Sequence, residues 1–294
     1  MSGVAYIDGQ YSSHADAKIS VFDHGLLYGD GVFEGIRVYS GRIFKLRSHL
    51  VRLFQSARFI DLNIRRSLEE LDAVVRETVR RSEMDDAYIR LVVTRGIGPL
   101  GVNPKQCESA SLIVIVDKLA VYPEEKVNAG ITLMTSSVRQ KNPATLSSRA
   151  KTLNYLPNMM AKLEALRSGA DEALLLNDQG YVSECVGENI FAVTNLPTGE
   201  VRIQTPHVSC GILEGVTRNT IIDLAAQSQT VVEQTNLTLF DLYTADEIFL
   251  TGTGAEIVPV ISLDGRTVGD GVPGPVTKKL LHAFHQYTAT GAED

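Results

Sequence analysis

Residues 149–166 read RAKTLNYLPNMMAKLEAL, and the reading of the whole chain turns on this stretch. Lys151 is followed closely by Asn154 and Tyr155, then by apolar residues at helical spacing. Lysine is strongly hydrated, so one set just ahead of a buried helix is either a solvated helix-start residue or a nucleophile. In the second case, desolvation or a neighbouring cation frees its amine. Pro157 falls in the first turn, where a missing N–H costs little. Leu156, Met159, Met160, Leu163 and Leu166 predict a stripe that faces the core. What Lys151 does depends on what the rest of the chain can set around it.

Toward the N-terminus, residues 4–23 read as two short strands, VAYIDGQY and AKISVFD. The following HGLLYGDGVFEGIRVYSGRIFKL carries Val32, Phe33, Ile36 and Val38, then Ile43, Phe44 and Leu46, with Ser40-Gly41 between the two runs, and so predicts a hairpin. Gly25, Gly29, Gly31 and Gly35 crowd its entrance at a spacing close to G-x-G-x-x-G. They lead into a strand, however, and without a helix N-terminus the dinucleotide reading fails. Amphipathic helices are expected over 47–60 and 67–83, the second opened by a capping box of Ser67 and Glu70. Arg52, among Leu50, Val51, Leu53 and Phe54, is either a snorkelling side chain or a ligand contact. Strands resume at 87–96 and 109–118, separated by the loop GIGPLGVNPK.

Helices and strands come in blocks, which predicts an α+β fold with a largely antiparallel sheet. The polar stretch 117–130, with Pro123 and Gly130, marks an interdomain linker. The expected organisation is a small N-terminal domain over 1–118, a linker over 119–129 and a larger C-terminal domain over 130–294. In the latter, strands ITLMTSSV, DEALLLN, ENIFAVT, VRIQTP, VVEQTNLTL and IFLTGT alternate with helices after Asn154, near Val216, at FDLYTADE and after Pro275.

The 294 residues are 44% hydrophobic and 21% charged, as in ordinary globular chains, and carry a net charge of −7. That balance argues against nucleic acid as a partner. No apolar run approaches the ~20 residues of a membrane span, and no secretory signal is evident. Cys107, Cys185 and Cys210 form no C-x-x-C pair, and a reduced, cytoplasmic setting follows. His282 and His285 share a helix face without further ligands, so no metal site is expected.

Two places suit an anion. In ILEGVTRNTIIDLAAQ a helix begins near Val216-Thr217, where free N–H groups and the dipole favour negative charge, with Thr217 read equally well as an ordinary N-cap. In TGTGAE, residues 251–256, Thr251 and Thr253 offer hydroxyls, and Gly252 and Gly254 leave backbone N–H groups accessible. Arg52 is a candidate bidentate partner for the same anion. Glu184, in YVSECVGENIF, is either a surface carboxylate or the partner of a ring nitrogen. In the second role a charge pair near 4 Å is worth roughly 4 kcal/mol at an effective dielectric of 20, about three pKa units.

Taken together, KTLNY, YVSECVGENIF, EGVTR, LYTADEIFLTGTGAEI and YGDGVFEGIR resemble the fold-type IV aminotransferases that use pyridoxal 5′-phosphate, and among them the branched-chain aminotransferases. The likeness spans nearly the whole chain in the family's order. It implies a two-domain α+β enzyme with a small N-terminal α/β domain and a barrel-like sheet in the larger domain. It further implies Lys151 as the Schiff-base lysine, Glu184 at the pyridine nitrogen and Tyr155 at the phenolic oxygen. Arg52, Val216, Thr217 and Thr253 correspond to the phosphate cup. Tyr88 and Arg90 match a Y-x-R pair that handles the substrate carboxylate. Tyr28, Phe33, Gly35 and Arg37 match the side-chain pocket, Gly254 and Ala255 the α-carboxylate site, and Val102 a loop contributed across a dimer interface. The implied reaction moves the amino group of leucine, isoleucine or valine to 2-oxoglutarate. The same fold also serves D-amino-acid and (R)-amine transaminases and aminodeoxychorismate lyases. Amino acids and 2-oxo acids are the implied substrates, and a homodimer or larger homo-oligomer the implied assembly. Two departures stand out: Lys151 and Tyr155 are four apart where many members have one residue more, and Gly254 stands where alanine is common.

Overall fold

The strand that organises the N-terminal half is β3, Gly31–Tyr39, whose residues are almost all buried. In this computed structural model residues 3–119 and 121–290 are described. Residues 1–2, 120 and 291–294, which the expected domain and linker ranges include, lie outside that description. By contacts the chain divides into two compact units. One comprises Met1–Leu119, Ala150–Asn154 and Thr288–Asp294; the other comprises Ala120–Arg149 and Tyr155–Tyr287.

In the first unit β1 (Val4–Ile7) and β2 (Gln10–Ser13) form a hairpin that turns through Asp8 and Gly9, both at positive φ. The expected second strand, AKISVFD, is therefore misplaced. Residues 17–23 hold no strand, and Asp23 makes only an isolated bridge to Ile97. Its carboxylate instead caps a short helix, α1 (His24–Tyr28), by accepting from the Gly25 N–H, a cap the glycine-rich pattern had hidden. β3 turns through Ser40-Gly41 into β4 (Arg42–Ile43), as the hairpin pattern predicts. α2 (Leu46–Phe59) and α3 (Leu68–Ser82) follow, the latter with its Ser67/Glu70 capping box formed. β5 (Ala87–Thr94) and β6 (Ser111–Asp117) complete a six-stranded sheet of order β2-β1-β6-β5-β3-β4. Every neighbouring pair in it is antiparallel. Val32, Ile36, Val38, Ile89 and Leu91 from the sheet join Leu50, Leu53, Leu71 and Val75 from the helices in one buried cluster.

The second unit begins with a short helix, α4 (Glu124–Ala129), inside the stretch read as a linker. β7 (Ile131–Arg139) and β8 (Glu172–Leu176) are parallel, and α5 (Leu156–Ser168) lies between them in sequence. Then come β9 (Val182–Cys185), β10 (Asn189–Asn195), β11 (Val201–Pro206), α6 (Val216–Gln227), β12 (Val232–Thr235), α7 (Leu239–Tyr243) and β13 (Glu247–Gly252). β14 (Glu256–Leu263), β15 (Arg266–Thr267) and α8 (Pro275–Ala289) end the described chain. The sheet runs β12-β11-β10-β13-β14-β7-β8-β9, with β15 beside β14. β9, at one end of that order, also lies against β10 and β11 near the other end, so the sheet curls on itself.

Two sequence expectations fail here for physical reasons. β14 is absent from the expected strands, and it carries Pro259, a residue disfavoured in a central strand. β7 joins β14 only from Val260 onward, which leaves Pro259 a single neighbouring strand, a position that tolerates a missing N–H. The apolar stripe of α5 is also not core. Leu156, Met159, Met160, Leu163 and Leu166 are between 50% and 72% exposed, whereas Asn158, Ala161 and Ala165 are buried. Small alanines let the helix approach the sheet, where they pack with Ala173 and Leu175, and the bulky stripe faces away.

Candidate active site

Alternation along β3 sorts its residues onto two faces. Glu34 shares the inward face with Val32, Ile36 and Val38 and is completely buried. Its Oε1 accepts from Arg52 Nε and its Oε2 from Arg52 Nη2, both at 2.7 Å, and Oε2 is also 2.8 Å from His49 Nδ1. Burial alone pushes the Glu34 carboxyl up, but Arg52 and His49 outweigh it and hold the group well below the usual carboxylate range. Burial lowers the His49 pKa in spite of Glu34, so the imidazole is neutral near pH 7. Arg52 is thus buried beside a carboxylate of its own unit, with its fork closed on Glu34. Any contact it makes with an external anion uses the remaining edge of the guanidinium.

The opposite face of β3 carries Phe33, Gly35 and Arg37. Register places Gly35 beside Arg90 and Arg37 beside Tyr88, so these five residues share one surface. The Arg90 guanidinium lies 4.6 Å from the Phe33 ring centre and 5.5 Å from that of Tyr88, and its Nη2 donates to the Tyr88 hydroxyl at 3.3 Å. A Cβ on Gly35 would fall 1.8 Å from that hydroxyl, so only glycine admits the phenol there.

Lys151 reaches the same surface by backbone pairing. The Phe33 N–H donates to the Lys151 carbonyl, the Leu153 N–H donates to the Gly31 carbonyl, and Thr152 bridges Val32. The Lys151 N–H donates to Ser56 Oγ on α2, and Lys151 Nζ sits 4.5 Å from the Phe33 ring centre. Asn154 Nδ2 donates to the Gly29 carbonyl, tying the segment to the C-cap of α1. Tyr28 is less closely involved: it is 39% exposed, and its hydroxyl accepts from the Gly101 N–H. Val102, next along that loop, is 82% exposed and stands apart.

The second unit gathers another set. Glu184, on β9, is 8% exposed, not a surface carboxylate. Gln140 Nε2 donates to its Oε1 at 2.7 Å, the Leu213 N–H donates to its Oε2 at 2.7 Å, and Asn189 Nδ2 reaches Oε2 at 3.3 Å. Asn189 Nδ2 also donates to the Leu213 carbonyl. A Cβ on Gly215 would fall 2.1 Å from Asn189 Oδ1, so the glycine lets this loop close over Asn189. α6 starts immediately afterwards, with Gly215 as an N-cap that makes no side-chain bond and Val216 and Thr217 at its first turn. Thr217 Oγ1 and Thr251 Oγ1 are buried with no hydrogen-bond partner among the described residues. Thr251 lies opposite Asn189 in the β10–β13 ladder. Thr253, Gly254 and Ala255 form the turn from β13 to β14. Tyr155 is the N-cap of α5, and Lys141 Nζ lies 5.2 Å from its ring centre.

The sequence reading passed over Glu34, His49, Ser56, Gln140 and Asn189. The parity of β3 was signal enough for Glu34. Gln140, a lone amide at a strand end, gives none. Among the described residues no group of acidic, histidine and cysteine side chains could hold a metal ion, and all three cysteines are free. His285 instead pairs with Glu256. No described helix is long and apolar enough to cross a membrane.

Known proteins match the chain at nearly full length. A Methanocaldococcus jannaschii protein provisionally named a branched-chain-amino-acid aminotransferase is 47% identical over 279 residues, covering 95% of this chain and 94% of its own. The solved branched-chain amino acid aminotransferase of Escherichia coli superposes with a TM-score of 0.93 at 36% identity, covering 99% of this chain and 96% of that one. The branched-chain amino acid aminotransferase of Thermobaculum terrenum, solved in its PLP-bound holo form, gives a TM-score of 0.85 at 28% identity over 98% and 94% of the two chains. Residues 31–263, from the head of β3 to the end of β14, match the family Amino-transferase class IV. The strand that carries Lys151 by its backbone and the turn that follows Thr251 both fall within that match, and the chain belongs to the class IV aminotransferases.

Proposed function

We propose that the protein is a branched-chain aminotransferase that uses pyridoxal 5′-phosphate to move the amino group of leucine, isoleucine or valine to 2-oxoglutarate. The observation that carries this reading is the setting of Glu184. It is a buried carboxylate aligned by three neutral donors, in the same unit as the N-terminus of α6 and two partnerless hydroxyls. A buried hydroxyl without a partner costs about 1–3 kcal/mol. A phosphate group at this helix start relieves Thr217 and takes the first N–H groups of α6 as further donors. The residues therefore fit the cofactor. When bound, pyridoxal phosphate supplies the carbonyl that takes up the amino group and a cationic ring that draws electrons from the substrate's α-carbon.

The chain's own residues divide the remaining work. Glu184 holds the proton on the ring nitrogen, an interaction worth roughly 4 kcal/mol at 4 Å and an effective dielectric of 20. Tyr155 orients the phenolic oxygen, while the Val216 N–H, Thr217, Thr253 and Arg52 hold the phosphate. Lys151 Nζ anchors the cofactor and moves the proton at the substrate's α-carbon. Tyr88 and Arg90 bind carboxylate. Arg90 is already stacked on Phe33 and bonded to Tyr88, so little side-chain freedom remains to be lost on binding. Gly254 and Ala255 flank the α-carboxylate, Tyr28, Phe33, Gly35 and Arg37 shape the side-chain pocket, and Val102 is contributed to it by a second copy across a dimer interface. An apolar wall separates aliphatic side chains by only about 1–3 kcal/mol per methylene, so all three branched-chain amino acids are accepted. Arg90 and Arg37 take the second carboxylate when glutamate enters.

A half-reaction screen tests this. Cofactor-loaded protein is mixed separately with L-leucine, L-glutamate, D-alanine and a chiral primary amine while the visible spectrum is followed. L-Leucine and L-glutamate convert the spectrum, and the Lys151→Ala variant responds to neither. A response to D-alanine or the amine alone, or full turnover by Lys151→Ala, refutes the assignment.

A further inference from the structure

Gln140 stands at the end of β7, 4% exposed, with both ends of its side-chain amide engaged. Its Oε1 accepts from the Lys141 backbone N–H at 2.9 Å, and its Nε2 donates to Glu184 Oε1 at 2.7 Å. A backbone N–H can only donate, so it fixes which end of the amide is the carbonyl. The NH₂ end must then face Glu184. From the other side the Leu213 N–H and Asn189 Nδ2 approach Oε2. The carboxylate is therefore gripped at both oxygens, which fixes its plane as well as its position. Each of these three donors is neutral. Arg218 is a buried cation that feels the Glu184 charge, but its hydrogen bonds run to the Pro206 carbonyl, Gln234 Oε1 and Asn219 Oδ1.

The Gln140 amide orients the carboxylate without adding a charge of its own. We propose that Gln140 is a positioning residue that presents Glu184, in a fixed plane, to a protonated aromatic ring nitrogen. The proposal rests on the reading of Glu184 given under Proposed function. It adds that the strength of that contact is set by a residue which never touches the ring. Its two-ended anchoring makes Gln140 a switch for one atom of the cofactor, not for the cofactor as a whole.

The test compares two ligands that differ at that atom. Equilibrium dialysis of the full chain gives affinities for pyridoxal 5′-phosphate and for 1-deazapyridoxal 5′-phosphate, in which a carbon replaces the ring nitrogen. Gln140→Met keeps the length and flexibility of the side chain but removes the donor. Gln140→Asn keeps the amide but shortens it by one methylene, and serves if the methionine variant is not soluble. The wild type prefers pyridoxal phosphate over the deaza analogue. Either variant binds pyridoxal phosphate about tenfold more weakly, as expected for loss of a hydrogen bond to a charged group. Its affinity for the deaza analogue stays at the wild-type value. Equal weakening for both ligands, or no weakening for either, overturns the positioning role. A wild type that binds both ligands equally fails earlier, at Glu184 itself, and refutes the underlying reading from the unmodified protein alone.

Discussion

Glu34 shows at the scale of one residue how much chemistry a strand's alternation already contains. Val32, Ile36 and Val38 have the same parity, so period two places Glu34 on the core face without any knowledge of the fold. What the pattern cannot say is which helix answers the charge. Arg52 and His49, three residues apart on α2, are brought to Glu34 by packing alone. The same limit applies at Glu184, where the motif gives the acid but not Gln140 or Leu213, remote in sequence, which hold it. Glu34→Gln leaves a buried guanidinium without its counter-charge, and breaking a buried pair this way typically costs about 3–5 kcal/mol. Its pH dependence has a definite sign. The carboxyl is depressed in the folded chain, so its contribution is present above the ordinary value of 4.5 and is lost progressively as pH falls below it. Urea unfolding is expected to show a lower midpoint for Glu34→Gln at pH 7 and a gap to wild type that narrows steadily below pH 4.5. A gap of the same size at pH 7 and at pH 3.5 would mean that the Glu34 carboxyl is not depressed in the folded chain.

At the scale of the element, α5 was legible as a helix and illegible as to orientation. Helical spacing of Leu156, Met159, Met160, Leu163 and Leu166 reports that one stripe is apolar. It does not report which neighbour covers that stripe. The opposite side, with Ala161 and Ala165, meets the sheet because small side chains allow a closer approach, and five large apolar residues are left outward. A patch of that kind on one helix is more than isolated surface hydrophobes require and points to a covered face. The homodimer or larger homo-oligomer that the family resemblance implies is expected to cover it, with α5 as part of the contact. Replacing Met160 and Leu163 together by glutamate places two like charges in that face, and desolvating them opposes association. Light scattering coupled to size exclusion is expected to give a multimer for the wild type and a single-chain mass near 32 kDa for the double variant, with unchanged circular dichroism. A double variant that keeps the wild-type mass would remove α5 from the interface.

For the whole molecule, order along the chain and membership of a compact unit part company at one place. Ala150–Asn154 lies between two stretches of the second unit yet belongs to the first, because its backbone pairs with β3. Pairing across more than a hundred residues leaves no local trace, so the sequence could mark Lys151 as chemically suspect but not say which strand would hold it. The sheet orders were similarly beyond reach: β14 was not among the expected strands, and the parallel β7–β8 pairing depends on where α5 packs. A property of the complete chain follows from the cofactor reading. A ligand that binds only the folded protein stabilises it by mass action, by about 2.7 kcal/mol at a hundredfold excess over its dissociation constant. With 294 residues and about 2.1 cal/mol/K of unfolding entropy per residue, that amounts to a rise in melting temperature of about 4 °C. The phosphate matters most in this argument, because the Thr217 hydroxyl has no partner among the described residues and α6 starts without a side-chain cap. Differential scanning calorimetry is therefore expected to show the full rise with pyridoxal 5′-phosphate and little with pyridoxal at the same concentration. Equal shifts from the two compounds would leave Lys151 as the sole anchor and dismiss the α6 N-terminus as a phosphate site.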